Sequence, residues 1–209
     1  MRHLLGYQSG RGGRKRILSG NFRHTDAMST EPAQRRKLRV IYDQIATRAE
    51  SIADTRPPSS PWPCRSGCDG CCRRLARAPE LTRAEWLTLW RGFLRLDAAA
   101  RGRVRAQVDE LRAASEGQHV VCPLLDRDAG MCMVYEDRPA ACRMYGFYVV
   151  RGEGRYCQQI ADEVDAGRCD DVIWGNQYAI ERTLEKELGA AIAMTEWFAA
   201  HPEDDANEP

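Results

Sequence analysis

Four cysteines lie within nine residues, in the segment Cys64-Arg-Ser-Gly-Cys68-Asp-Gly-Cys71-Cys72. This cluster constrains the chain most, because ordinary burial explains one or two cysteines but not four so close together. Thiolates are soft ligands that select zinc, copper(I) or iron–sulfur clusters over magnesium or calcium. Gly67 and Gly70 interrupt the cluster and allow the positive φ angles and close backbone approach that a metal loop often needs. The segment therefore predicts a metal site.

Five further cysteines bring the total to nine. Cys122, Cys132 and Cys142 have nine residues between neighbours, and Cys157 and Cys169 follow with eleven residues between them. We expect Cys122 and Cys132 on the two arms of a hairpin and Cys142 on the next helix, so that the three converge. All nine thiols are candidate metal ligands. His119 is a secondary candidate for a nitrogen ligand, because so many thiols are available.

The start of the chain bears on the expected compartment. Met1 to Gly13 contains no apolar stretch beyond Leu4-Leu5, whereas a secretory signal carries an apolar region of roughly 7–15 residues. We therefore expect a cytoplasmic protein. In the reducing cytosol disulfides are rare, and clustered cysteines bind metal or do redox work.

Composition excludes some partners and indicates a fold class. The net charge is +1, so no global field favours nucleic acid, which is not an expected partner. No apolar run reaches the roughly 18 residues of a membrane span, so no membrane association is expected either. We expect a mainly α protein with small β-hairpins, in which helices flank an irregular, cysteine-rich metal-binding core.

Four parts are expected along the chain. Residues 1–27 carry six Lys/Arg side chains against Asp26, a net charge of +5; they are either a disordered basic arm or a stretch ahead of a true start at Met28. Residues 28–63 form a helix and a proline-rich linker. Residues 64–200 form the cysteine-cluster domain, and residues 201–209 form an acidic tail.

Apolar periodicity and capping signals predict the helices before and after the first cysteine cluster. From Ser29 onward, one helix face consists of Leu38, Ile41, Ile45, Ala49 and Ile52. The four prolines of residues 55–63 mark a linker. Thr82 and Glu85 form a capping box for a helix with Trp86 and Trp90 in the core, and Asp97 caps the next helix.

The second half of the chain reads as short strands and helices. Residues 120–125 and 131–135 are expected to be strands around the turn 126–130. Pro139 fits the first turn of a short helix that carries Cys142. A second small hairpin is expected within residues 148–156, around Gly152, and a last long helix over roughly residues 172–200.

The composite cysteine pattern resembles a known family. Cys64-x3-Cys68-x2-Cys71-Cys72, then Cys122-Pro-Leu-Leu-Asp, then the run from Gly130 to Arg143, is similar to the YkgJ-type cysteine-cluster family. That family is described as a zinc- or iron-chelating domain, and the resemblance covers about residues 60–170. It implies zinc or iron as cofactor, a 4Fe–4S cluster included. The motif cysteines that it implies are Cys64, Cys68, Cys71, Cys72, Cys122, Cys132 and Cys142, and Cys157 and Cys169 match it less closely.

Arg138 and Arg143 belong to the same motif. An arginine beside thiolates offsets negative charge and donates hydrogen bonds to sulfur, which would make both residues part of the cofactor site. The alternative is a surface salt bridge with Glu136 or Asp137.

Several functions remain open at this level. The chain is a metal-binding module or an iron–sulfur redox protein, with metal ions as its partners and any protein partner unknown. An enzyme is a further alternative: the flagellin lysine N-methylase carries a similar cysteine pattern. The first cluster also has the spacing of the radical S-adenosylmethionine signature, but Gly70 stands where that signature has an aromatic residue. A secreted disulfide protein is disfavoured by the missing signal.

The neighbouring pair Cys71 and Cys72 carries a prediction of its own. Adjacent side chains in an extended stretch point to opposite faces, and two adjacent cysteines on one ion would close a small, strained ring. We expect Cys64, Cys68 and one of the pair to join ligands from the Cys122–Cys142 segment. The other cysteine would face a second ion or remain a reactive thiol.

Overall fold

The computed structural model describes residues 24–114, 119–154 and 156–202, with side chains described from Glu31 onward. Its helices, in chain order, are α1 (His24–Ala53), α2 (Gly70–Arg73), α3 (Arg83–Leu94), α4 (Ala98–Ala113), α5 (Ala140–Met144), α6 (Gln158–Asp165), α7 (Gln177–Leu188) and α8 (Met194–Ala200). Its strands are β1 (Glu80–Leu81), β2 (Leu125–Asp126), β3 (Met131–Cys132), β4 (Tyr148–Val150), β5 (Glu153–Gly154), β6 (Gly175–Asn176) and β7 (Ile192–Ala193). The expected class, mainly α with small β-hairpins around an irregular cysteine-rich core, is confirmed.

The first helix is longer than its periodicity predicted. It begins at His24, ahead of the expected start near Ser29, and contains Pro32 in its interior. Its expected apolar face is buried at Leu38, Ile41 and Ile45. There α1 packs against α5 and α7, with Met144 and Leu184 among the residues it meets. Most of the basic arm expected over residues 1–27 lies outside the described residues.

Helices α3 and α4 start where their capping signals predicted. The Thr82 hydroxyl accepts a hydrogen bond from the Glu85 N–H, and the Glu85 carboxylate accepts one from the Thr82 N–H, which completes the capping box. Asp97 accepts from Ala100 N–H at the start of α4. The indole of Trp86 is fully buried and Trp90 nearly so. Both tryptophans are therefore core residues, as expected.

The described residues form three small sheets, two of which join parts of the chain that are distant in sequence. Strand β1 pairs with β7 in antiparallel register, with Glu80 opposite Ala193. Strands β2 and β3 form one hairpin, with Leu125 opposite Cys132. Strand β4 pairs antiparallel with β5 and parallel with β6. The hairpin expected within residues 148–156 is therefore present in β4 and β5.

The single long helix expected over residues 172–200 was wrong. That segment contains β6, α7, β7 and α8 in succession. Helix α7 ends because Gly189 follows it with a φ of 89°, a left-handed conformation that glycine adopts without steric cost. The chain then extends because β7 pairs with β1, so tertiary strand pairing overrides the local helical preference.

The hairpin expected over residues 120–135 is shorter than predicted. Only residues 125–126 and 131–132 pair as strands, and residues 135–137 form a 3-10 turn instead. Cys122 lies before the hairpin arm, because its N–H donates to the Cys72 carbonyl and its own carbonyl accepts from Leu125 N–H. Pro123, which has no N–H, lies within this turn, directly after Cys122.

The proline-rich linker is anchored to the fold by a tryptophan. Residues 54–69 contain no helix or strand, yet Trp62 is 2% exposed. Its indole N–H donates to the Gly146 carbonyl at 3.2 Å, and its ring packs on Phe147 and Trp174. Within the described residues, no helix combines the length and the apolar character needed to cross a membrane.

Candidate metal centre

The first cysteine cluster forms a tight loop that leads into a one-turn helix. The Cys68 N–H donates to the Arg65 carbonyl at 3.0 Å, and Gly67 adopts a φ of 84°, as the glycine spacing suggested. Gly70 has no positive φ; it opens α2, which carries Cys71 and Cys72. The Sγ atoms of these two cysteines lie 3.8 Å apart. The pair is therefore helical with both sulfurs close together, so the expectation that Cys71 and Cys72 lie in an extended stretch with side chains on opposite faces was wrong.

One group of thiols surrounds the start of this loop. We call Cys64, Cys68 and Cys157 the first thiol set. The Cys64 thiol donates to the Tyr145 carbonyl at 3.4 Å. Cys157 precedes α6, and its Cβ lies 3.9 Å from the position that a Cβ on Gly70 would take. Cys157 thus lies close to the first cysteine cluster, although it is distant from that cluster in sequence.

Gly146 makes the close approach to Cys64 possible. Its φ is +84°, and a Cβ at this position would lie 3.0 Å from the Cβ of Cys64 and 3.1 Å from its sulfur. The same Cβ would lie 2.9 Å from the Ile160 side chain of α6. Only glycine fits between Cys64 and α6 without a displacement of these neighbours.

A second group of thiols stands on the other side of the Cys71–Cys72 pair. We call Cys122, Cys132 and Cys142 the second thiol set. The Cys122 N–H donates to the Cys72 carbonyl at 2.7 Å, next to an antiparallel bridge between Leu75 and Val120. Cys132 lies in β3, and Cys142 lies in α5. Two backbone connections thus hold the first cluster against the segment that carries Cys122.

The pKa shifts of the buried thiols reflect the charges of other thiols near them. Burial raises the pKa of Cys64 to about 12, and the charges of Cys71, Cys68 and Cys157 add to the shift. Burial also raises the pKa of Tyr145 to about 12, and the charges of Cys157, Cys71, Cys64 and Cys68 add to that shift. The Tyr145 phenol therefore lies beside the first thiol set and Cys71.

The second thiol set is coupled to the pair in the same way. A hydrogen bond with Cys122 is the largest cause that raises the pKa of Cys72 to about 12. Burial, followed by the charges of Cys71, Cys72 and Cys132, raises the pKa of Cys142. A hydrogen bond with Cys72, followed by burial, raises the pKa of Cys71. Cys71 and Cys72 thus stand at the junction of the two sets.

Arg138 is the cation whose charge acts on several of these thiols. Its charge lowers the pKa of Cys64, Cys71, Cys132 and Cys142 against the larger upward effects. The guanidinium lies 3.4 Å from the Tyr135 ring centroid, and its Nε donates to the Tyr135 carbonyl at 2.7 Å. Of the two alternatives for Arg138, this placement favours charge compensation at the thiols over a surface salt bridge.

Arg143 contacts the protein differently. Its Nε donates to the Arg138 carbonyl at 2.7 Å, and its terminal nitrogen donates to the Glu136 carbonyl. Its guanidinium also lies 4.3 Å from the Tyr42 ring centroid. Arg143 therefore holds the loop that presents Arg138. The carboxylate of Asp137, the expected alternative partner, pairs instead with Arg95.

Two candidate ligands are placed in neither thiol set. The Sγ of Cys169 accepts a hydrogen bond from Arg56 at 3.6 Å, and the residue is buried in the apolar cluster that Cys64 and Cys157 also contact. His119 is exposed at the edge of the described segment. Neither placement adds a ligand to the two thiol sets.

Thiol ligands suit zinc or iron, but the sulfur atoms are not close enough to one another to bind one ion as they stand. All nine cysteines are free thiols, seven of them partly buried, and thiolates are the ligands that zinc and iron–sulfur clusters prefer. Among the described residues, however, no three Cys, His, Asp or Glu side chains are placed so that they would hold one metal ion. Ligation therefore requires side-chain rotations that bring the sulfurs closer.

Sequence reasoning missed one residue that positions the centre. Glu85 is 3% exposed, and beyond its capping-box bonds its Oε1 accepts from the Ala140 N–H at 2.9 Å. Ala140 is the first residue of α5, the helix that carries Cys142 and Arg143. A capping box is a local signal, so only the tertiary structure reveals that the same carboxylate binds a second helix.

Comparison with known proteins gives one match. A family model named CxxCxxCC and described as "Putative zinc- or iron-chelating domain" matches residues 63–170, just over half of the 209-residue chain. The matched stretch includes all nine cysteines, Arg138 and Arg143. No curated protein and no solved structure is significantly similar to this chain.

Proposed function

Since this chain belongs to the CxxCxxCC family of zinc- or iron-chelating domains, we propose that it is a cytoplasmic protein that binds zinc or iron through thiolates of the Cys64–Cys157 region. The observation that carries the proposal is that six free thiols, in two sets of three, flank the Cys71–Cys72 pair. Free thiols are the state that the reducing cytosol maintains.

Arg138 and Gly146 would support metal binding by the thiols. Arg138 supplies positive charge next to four of the thiols, which supports the thiolate form that a metal requires. Gly146 leaves room for the Cys64 sulfur. The short segments around the thiols contain little regular structure, so the bound metal would supply cross-links that offset the entropy cost of ordering them.

Purification of the full chain without air, followed by metal and sulfide analysis, tests the proposal. We expect about one or more zinc or iron ions per chain. We also expect a chelator to increase hydrogen exchange at residues 64–73 before it affects α3. Metal-free protein that is fully folded and indifferent to chelators would contradict the proposal. The variant Cys169→Ser is a matched control, because its thiol lies outside both sets.

An iron–sulfur redox protein is the second candidate. It is favoured by the number of thiols: the two sets and the pair together have eight, which exceeds the four that a single zinc ion or a single 4Fe–4S cluster needs. Acid-labile sulfide and a broad visible absorption that bleaches on reduction would support this form. A colourless, zinc-loaded protein from anaerobic cells would exclude it. The described residues add nothing to the methylase alternative.

A further inference from the structure

Eight of the nine cysteines belong to the two thiol sets and the pair between them. Each set has three members, and Cys71 and Cys72 form the pair. Cys169 belongs to neither set, and its sulfur accepts a hydrogen bond from Arg56. Eight thiols around one junction are twice the four that a tetrahedral zinc ion takes.

The backbone assigns Cys72 to the second set. Its carbonyl accepts the Cys122 N–H at 2.7 Å, and the Leu75–Val120 bridge continues that pairing. Cys72, Cys122 and Cys132 also pack against the same apolar core, with Leu124 and Leu125.

Cys71 is the thiol left for the first set. It follows Gly70, whose missing side chain faces the Cβ of Cys157. Cys64 and Cys157 pack in a cluster with Trp62 and Ile160, apart from the core that holds Cys72. Without Cys71, the first set would have only three thiols.

We infer that the chain holds two adjacent four-thiolate sites, one formed by Cys64, Cys68, Cys71 and Cys157 and the other by Cys72, Cys122, Cys132 and Cys142. This inference rests on the proposed function and specifies its metal stoichiometry. Arg138 neighbours members of both sites and offsets part of the negative charge that two tetrathiolate centres carry. Cys169 takes no part in either.

The main competitor is a single ion held by both members of the pair. Four sulfurs about 2.3 Å from zinc stand about 3.8 Å from one another in a tetrahedron, and the Cys71 and Cys72 sulfurs lie 3.8 Å apart. A shared ion would use at most two of the three remaining thiols of the second set. It would thereby leave one thiol of that set unbound and the first set incomplete.

Zinc titration of the full, metal-free chain without air, followed by alkylation and mass spectrometry, separates these arrangements. We expect about two zinc ions per chain and protection of eight cysteines, with Cys169 alkylated or protected independently of zinc. The variant Cys71→Ser should lose one ion and expose Cys64, Cys68 and Cys157. The variant Cys72→Ser should lose one ion and expose Cys122, Cys132 and Cys142.

Several outcomes would overturn the two-site assignment. One zinc ion per wild-type chain would overturn it while the proposed function survives, and no bound zinc would remove both. Identical protection patterns in the Cys71→Ser and Cys72→Ser variants would also overturn it. Where a variant does not fold, the wild-type chain with one equivalent of zinc is alkylated instead. Protection of the four cysteines of one proposed site together supports two sites. Joint protection of Cys71 and Cys72 by the same ion excludes the two-site assignment. The variant Cys169→Ser should retain both ions.

Discussion

The Glu85 carboxylate in α3 accepts a hydrogen bond from the Ala140 N–H at the start of α5, at 2.9 Å. Its second oxygen accepts from both the N–H and the hydroxyl of Thr82. One buried carboxylate thus binds the first residues of two helices. Helix α5 carries Cys142, so the capping of α3 and the position of a candidate ligand depend on the same side chain.

We expect Glu85→Ala to lower the free energy of unfolding by about 2–4 kcal/mol, because buried donors on Thr82 and Ala140 lose a charged acceptor. Glu85→Gln should cost less, since its amide oxygen can still accept one bond. Chemical denaturation measures the loss, and hydrogen exchange at residues 140–144 shows whether α5 loosens. Glu80→Ala is the control, as this exposed carboxylate should change stability by about 0.5 kcal/mol or less. Equal effects of the two alanine variants would contradict the role of Glu85.

A matched pair of glycines tests the contact between Gly146 and Cys64. Gly152 has nearly the same φ, 83°, but a Cβ there would meet no atom within 4 Å. Gly152→Ala should therefore cost only the backbone strain of about 1–2 kcal/mol. Gly146→Ala should cost about 1–3 kcal/mol more, because its Cβ overlaps Cys64 and Ile160, and it should weaken zinc binding. Thermal or chemical unfolding of both variants measures the difference, and equal losses would show that the sulfur has room to move.

Removal of the Arg138 charge should weaken metal binding. We expect Arg138→Met to lower zinc affinity roughly 10–100-fold, because a partner that supports the thiolates is lost while much of the packing volume is retained. Chelator competition measures the affinity. Arg127→Met is the control, since Arg127 pairs with Glu110 on an exposed surface. A change of less than about twofold at Arg138 would place the residue outside the metal centre.

The raised thiol pKa values predict how stability depends on pH without metal. The folded pKa of Cys64 is about 12, against 9.0 for an ordinary thiol. Above pH 9 the unfolded chain therefore loses this proton first, so the free energy of unfolding falls as pH rises from about 9 towards 12. Below pH 9 both states hold the proton, and the thiol contributes no slope.

Metal should remove this alkaline dependence, since bound thiolates have already lost their protons. Urea unfolding at pH 8, 9 and 10, with and without zinc, measures the two slopes. We expect the metal-free chain to lose stability over this range and the zinc-loaded chain to lose much less. Equal slopes of the unfolding free energy against pH, with and without zinc, would show that zinc does not bind the buried thiols.

Local signals predicted the helices well where capping and periodicity coincide. Thr82 with Glu85, and Asp97 with Ala100, mark helix starts through bonds within a few residues, so the sequence alone contains the information. The break at Gly189 was missed, because β7 forms through pairing with β1 far away in the sequence.

The candidate site shows the same limit. Cluster density and the resemblance predicted metal ligands among Cys64 to Cys72, but the grouping of thiols could not be read from spacing. The expectation that Cys122 lies on a hairpin arm was wrong, because its backbone hydrogen bond goes to Cys72. The approach of Cys157 to Gly70 depends on the position of α6, a helix that the periodicity did not predict.

The pairing of β1 with β7 also sets an order of events during synthesis. The first cysteine cluster directly precedes β1, whereas β7 lies close to the last described residues. A ribosome makes the chain from its amino terminus, so β7 emerges well after β1. The thiols of the loop are therefore exposed to metal ions and to oxidants on a growing chain in which β1 does not yet have its partner strand.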